Sequence, residues 1–120
     1  MVVDQLDRTD PQRADRLFHA LGDATRRDIV LRAMEDEHSV SALARHYPMS
    51  FAAVQKHVAV LEDAGLVTKR RRGREQLVRG NVDTVRDAHR LLDEYEAVWR
   101  RRIERFGDVL AEDETEGAKP

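Results

Sequence analysis

Residues 48–74, Pro-Met-Ser-Phe-Ala-Ala-Val-Gln-Lys-His-Val-Ala-Val-Leu-Glu-Asp-Ala-Gly-Leu-Val-Thr-Lys-Arg-Arg-Arg-Gly-Arg, restrict the fold more than any other part of the chain. Pro48 disfavours helix at Tyr47, and Ser50 is a strong N-cap for a helix beginning at residue 51. Val54, Val58 and Leu61 recur at helical spacing, and Gly65 ends the helix. Residues 66–69 and 75–79 alternate as two short strands, with Gly73 in the turn between them. Helix, strand, arginine-loaded turn and strand, in that order, are the parts of a recognition helix with a basic wing.

The upstream sequence supplies the companions such a helix needs. A first helix is expected over 11–21, with Asp10 as N-cap and Pro11 at its first position. Its apolar face is Ala14, Leu17, Phe18 and Leu21, and Gly22 stops it. Asp23 caps a second helix carrying Ile29, Val30, Ala33 and Met34. This helix ends in three acidic residues, 35–37, which oppose its dipole. Ser39 or Ser41 starts a short third helix running to about His46, and 47–49 is the turn before the fourth. Gly80-Asn81 breaks the chain again. A last helix over about 83–110 carries Val85, Ala88, Leu92, Tyr95, Trp99, Ile103, Phe106 and Leu110 every three or four residues. The fold expected is mainly α with a small β-hairpin: a winged helix-turn-helix of about five helices that dimerises through its first and last helices. One domain spans 11–111, between a flexible N-terminus, 1–10, and a flexible tail, 112–120.

The formal net charge of −2 looks wrong for a chain that binds a polyanion. Its distribution removes the difficulty. Residues 1–49 balance at −2 and residues 81–120 at −4, whereas residues 50–80 balance at +4. A polyanion responds to the local field of the basic segment. On the fourth helix, Val54, Val58 and Leu61 face inward, and Ala52, Gln55, Lys56 and Ala59 face outward. Small alanines allow close approach to base edges, Gln55 suits adenine, and Lys56 reaches guanine or phosphate. Ser50 and the amides at the helix start suit a phosphate. Lys69, Arg70, Arg71, Arg72 and Arg74 on the hairpin would reach a neighbouring minor groove or its phosphates. Double-stranded DNA is therefore the expected partner.

The stripe on the last helix is too long for one small domain to cover. Leu17 and Phe18 of the first helix, with Leu92, Tyr95, Trp99, Ile103 and Phe106, are expected to meet a second copy of the chain. The absence of cysteine excludes disulfides and thiolate metal sites. No apolar run approaches the ~20 residues of a membrane span, and the acidic N-terminus lacks the pattern of a signal peptide. A cytoplasmic protein without membrane contact is expected. No nucleophile motif or phosphate loop is present, so no enzymatic activity is expected.

Together these segments resemble the ArsR-type (arsenical-resistance repressor-like) winged-helix regulators over about residues 14–106. The resemblance rests on Leu21-Gly-Asp-Ala-Thr-Arg-Arg-Asp-Ile-Val30, Ser39-Val-Ser-Ala-Leu-Ala44, Met49-Ser-Phe-Ala-Ala-Val-Gln-Lys-His-Val58, Leu61-Glu-Asp-Ala-Gly-Leu-Val67 and the Arg-Gly-Arg hairpin. Ala24 stands where the family usually has proline. The resemblance implies a homodimeric regulator, usually a repressor on a palindromic operator. It places Ser50, Phe51, Ala52, Gln55, Lys56 and His57 at or near the groove. Gln55 replaces a common serine and Ala59 a common basic residue, which implies a different operator preference.

Zinc-sensing members carry Asp-x-His followed about ten residues later by His-x-x-His or His-x-x-Glu. Asp87 and His89 match the first half, but Arg100 and Ile103 fall where the second half would lie. Two ligands are too few for a tetrahedral site, so no metal or other cofactor is expected. Two alternatives stay open. One is a metal-responsive repressor using Asp87, His89 and Glu94 or Glu96 on the last helix. The other is a protein-interaction module on the same scaffold.

Overall fold

The computed structural model describes residues 11–117, with side chains through residue 113. Expectations for 1–10, including the Asp10 cap, and for 118–120 lie outside the described residues. The chain divides into two compact units, residues 1–88 and 89–120.

In the first unit, α1 (Pro11–Leu21) is followed directly by α2 (Ala24–Glu35). The sharp junction is built by the Asp-Ala-Thr-Arg-Arg segment. Asp23 Oδ1 accepts the amide of Arg26 at 3.0 Å and so caps α2. That bond, ahead of the Arg26 charge, holds the Asp23 carboxyl below the usual carboxylate range. Arg26 then reaches back: Nε donates to the Ala20 carbonyl at 2.8 Å and Nη2 to the His19 carbonyl at 3.0 Å. Arg27 Nη1 donates to the Leu21 carbonyl at 2.7 Å. Adjacent arginines thus satisfy the orphan carbonyls at the end of α1 while standing in the first turn of the next helix.

β1 (His38–Ser39), α3 (Val40–Ala44) and α4 (Phe51–Asp63) come next along the chain. Ser39 and Ser50 cap α3 and α4, their Oγ atoms accepting the amides of Ala42 at 3.0 Å and Ala53 at 3.1 Å. The α3–α4 turn is pinned to α2. The Tyr47 hydroxyl donates to Asp28 Oδ2 at 2.6 Å, and Arg32 Nε donates to the same oxygen at 2.8 Å. Burial, then Asp28, pushes the Tyr47 phenol up to about 12. α4 ends in a Schellman motif. Gly65 has φ +79, its amide donates to the Glu62 carbonyl at 2.9 Å, and the Leu66 amide donates to the Leu61 carbonyl at 3.0 Å.

β2 (Val67–Arg72) and β3 (Glu75–Gly80) form the hairpin, and the sheet order is β1-β3-β2, all antiparallel. A third strand is added to the expected two-stranded hairpin. β1 has only two residues and no periodicity of its own; its pairing with Val78 and Leu77 of β3 makes it a strand. Arg72 pairs with Glu75, so the loop is only Gly73-Arg74. Gly73 has φ +61 and Arg74 does not share the positive sign, the pattern of a type II′ turn.

The core gathers Leu17, Ile29, Leu43, Val54, Leu61, Leu66 and Val78, all with no exposed surface. Leu17 is therefore a correction. Expected at a subunit interface, it is wholly buried inside its own chain, while its neighbour Phe18 is 37% exposed.

α5 (Val82–Gly117) starts where Asn81 Oδ1 accepts the Asp83 amide at 3.2 Å, and the Thr84 hydroxyl donates to the Gly65 carbonyl at 2.7 Å. The helix runs past the expected end at 110 and takes in residues 112–117 of the expected flexible tail. No proline interrupts them, and three of the six are glutamates, which are good helix formers.

Candidate nucleic-acid interface

α4 sorts its side chains sharply. Val54, Val58 and Leu61 are at most 1% exposed, whereas Ser50, Phe51, Ala52, Gln55, Lys56 and Ala59 face solvent. His57 departs from the expected groove face. It is half-buried, and its Nδ1 lies 3.3 Å from Arg26 Nη1. The guanidinium that caps α1 therefore also touches α4, and His57 helps fix the angle at which the helix is presented.

The basic hairpin residues do not act as one cluster. Successive side chains on a strand point to opposite faces, and the ion pairs obey that alternation. Lys69 Nζ lies 3.3 Å from Glu62 Oε1 on α4. Arg70 points to the other face and grips Glu37, Nε to Oε2 at 2.9 Å and Nη2 to Oε1 at 2.8 Å. This forked pair reaches across β3 to the junction of α2 and β1. It holds the Glu37 carboxyl below its ordinary range, with Arg79 and Arg72 adding to the effect. Arg70, expected at the DNA, is thus paired with Glu37 and still exposed. Arg71, Arg72 and Arg74 are exposed at the tip, where Arg71 Nε donates to the Gly73 carbonyl at 3.2 Å. The acidic end of α2 also gains an explanation. Asp36 Oδ1 accepts the Glu37 amide at 2.8 Å, and Glu37 is the wing's counterion.

In the second unit, α5 exposes Leu92, Tyr95, Val98, Trp99, Ile103, Phe106, Val109 and Leu110, each by about half of its surface. Val98 and Val109 widen the stripe beyond the expected residues. The Arg102 guanidinium lies 5.6 Å from the centroid of the Trp99 ring.

The metal candidates differ in setting. Asp87 is 3% exposed. His89 is exposed, and its Nε2 lies 3.8 Å from Asp93 Oδ2. Among the described residues no three histidine, aspartate or glutamate side chains are grouped to hold a metal ion. None of the described helices is long and apolar enough to cross a membrane.

A capped helix with a solvent-facing outer side, second in a helix-turn-helix and followed by an arginine-tipped hairpin, defines a winged-helix DNA-binding regulator. Comparison with known proteins agrees. A helix-turn-helix domain family matches residues 21–70. An uncharacterized HTH-type transcriptional regulator of Bacillus subtilis, YuzN, is 35% identical over 81 residues, covering 61% of this chain and 87% of that protein. An ArsR-like transcriptional regulator from Rhodococcus sp. RHA1 superposes with a TM-score of 0.76 at 30% identity, covering 84% of this chain and 93% of that one. The homodimeric winged helix-turn-helix DNA-binding domain of a possible ArsR-family regulator from Mycobacterium bovis superposes with a TM-score of 0.61 at 27% identity, covering 80% of this chain and 92% of that one. The chain belongs to the ArsR-type winged helix-turn-helix transcriptional regulators.

Proposed function

We propose that this DNA-binding regulator is a homodimeric repressor that occupies a palindromic operator in the cytoplasm and acts by binding, without catalysis. In each subunit α4 enters the major groove. There Phe51, Ala52 and Gln55 face base edges, Lys56 at the margin of that face meets a phosphate, and Ser50 with the first amides of the helix meets another. Arg71, Arg72 and Arg74 at the wing tip take the flanking phosphates or minor groove, while Lys69 and Arg70 secure the wing.

Dimerisation runs through the α5 stripe, with Phe18 as the exposed contribution of α1. Eight large apolar side chains, each about half exposed, offer roughly 800 Å² per subunit, the size of a standard specific interface. The four residues Leu92, Tyr95, Val98 and Trp99 are matched eleven positions later by Ile103, Phe106, Val109 and Leu110. That period suits nearly straight or slightly right-handed pairing and not a left-handed coiled coil. The Mycobacterium bovis neighbour, described as homodimeric, supports the pairing of two copies.

The observation that carries the proposal is the joint exposure of the α4 outer face and the arginine tip on a wing that is tied to the fold. Its test is a promoter-reporter assay beside a mobility-shift titration. Expression of the chain should silence a promoter holding the selected site, and one dimer should shift one duplex. A rise in reporter signal, or a single monomer per site, would refute the repressor or the dimer respectively.

A further inference from the structure

We propose that α4 reads thymine methyl groups, with Phe51 as the residue that discriminates, so that the operator half-site is built on A·T pairs beneath this helix. The inference rests on α4 lying in the major groove. Phe51, Ala52, Gln55 and Ala59 fall within about 100° of the helix circumference, and all four are exposed. That arc contains no cation. α4 has no arginine, and its one lysine, Lys56, stands about a quarter-turn away from Gln55.

The chemistry of the arc is therefore one amide surrounded by three apolar side chains. Guanine is read best by a forked cationic donor, which is missing here. Gln55 can satisfy the N6 and N7 atoms of adenine, and the thymine of that pair or of its neighbour presents its C5-methyl group to the same groove. Phe51 occupies the first turn of the helix, the part of a recognition helix that meets base edges. Its ring is 46% exposed in the free protomer, so its apolar surface leaves water only when something docks there. The cap formed by Ser50 fixes the backbone next to the ring. Ala52 and Ala59 leave room for a base-pair edge.

The test uses an operator duplex selected from random DNA and the same duplex with deoxyuridine in place of thymine under α4. That exchange deletes the methyl group and leaves base pairing intact. The wild-type dimer should bind the uracil duplex about fourfold more weakly for each methyl removed. Phe51→Ala should bind the thymine duplex more weakly and no longer distinguish the two. Equal wild-type binding to both duplexes, or full discrimination by Phe51→Ala, overturns the proposal. Failure of the groove placement is separately visible: Gln55→Ala would then leave the base preference of a selected pool unchanged. If Gln55→Ala relaxes that preference while the uracil duplex binds normally, only the methyl reading fails.

Discussion

Arg70 and Arg72 lie two residues apart on one strand and point to the same face, yet they should respond differently to neutralisation. Arg70 already commits its forked donors to Glu37 at 2.8 and 2.9 Å, whereas Arg72 is exposed next to the Gly73-Arg74 turn. Removing one phosphate ligand lowers the slope of log affinity against log salt by about 0.9, so removing it from both subunits of a dimer lowers the slope by about 1.8. Between 50 and 200 mM salt, that is an affinity ratio smaller by roughly twelvefold. Fluorescence anisotropy on a labelled operator, titrated at several salt concentrations, reads the slope directly. Arg72→Gln and Arg74→Gln should show the reduced slope, and Arg70→Gln should keep the wild-type one. Arg70→Glu should weaken binding at every salt concentration by freeing the wing from α2. The exchanged pair Glu37→Arg with Arg70→Glu should recover much of the deficit. If Arg70→Gln lowers the slope as far as Arg72→Gln, or the exchange rescues nothing, Arg70 is a phosphate ligand and the anchoring assignment is wrong.

Other consequences are separately testable. Leu17→Ala should cost about 2–5 kcal/mol in urea denaturation, because Leu17 has no exposed surface and its truncation leaves a cavity; Phe18→Ala should reduce stability less and dimer affinity more. Trp99→Ala with Phe106→Ala should shift sedimentation toward the monomer while circular dichroism keeps its helical signal. The Tyr47 hydroxyl and then Arg32 hold the Asp28 carboxyl below its ordinary value of 3.8. Its contribution is thus present above pH 3.8 and lost as the pH falls below it, and Asp28→Asn should flatten that acid limb. In an ultraviolet titration one phenol should ionise near pH 12, and Tyr47→Phe should remove it.

Much of this fold was legible because local chemistry and tertiary context agree. Ser39, Ser50 and Gly65 mark helix ends by their own backbone preferences, and Val54, Val58 and Leu61 declare the buried face of α4 by spacing alone. What escaped depends on partners distant in sequence. β1 exists because β3 lies beside it. Leu17 and Phe18 are both apolar neighbours on α1, and periodicity alone does not say which one the core absorbs. Four arginines and a lysine in one hairpin read as one charge cluster until Glu37 and Glu62, from elsewhere in the chain, claim two of them. The roles of Arg26 and Arg27 were also hidden. Their carbonyl partners lie six and seven residues back, across a helix junction, although the pairing of a helix stop at Gly22 with two arginines just beyond was the available clue.

The chain has no cysteine, so a single introduced thiol can carry an iron-chelate cleavage reagent without ambiguity. Conjugates at Gln55→Cys and at Arg74→Cys, each bound to the selected operator, would map both surfaces on one duplex. Cuts from position 55 should fall within each half-site and cuts from position 74 should flank them, with both patterns repeated about a two-fold axis and half-site centres separated by about one or two helical turns. Cleavage from only one of the two positions, or a pattern without two-fold symmetry, would show that helix and wing do not face the same DNA from a paired molecule.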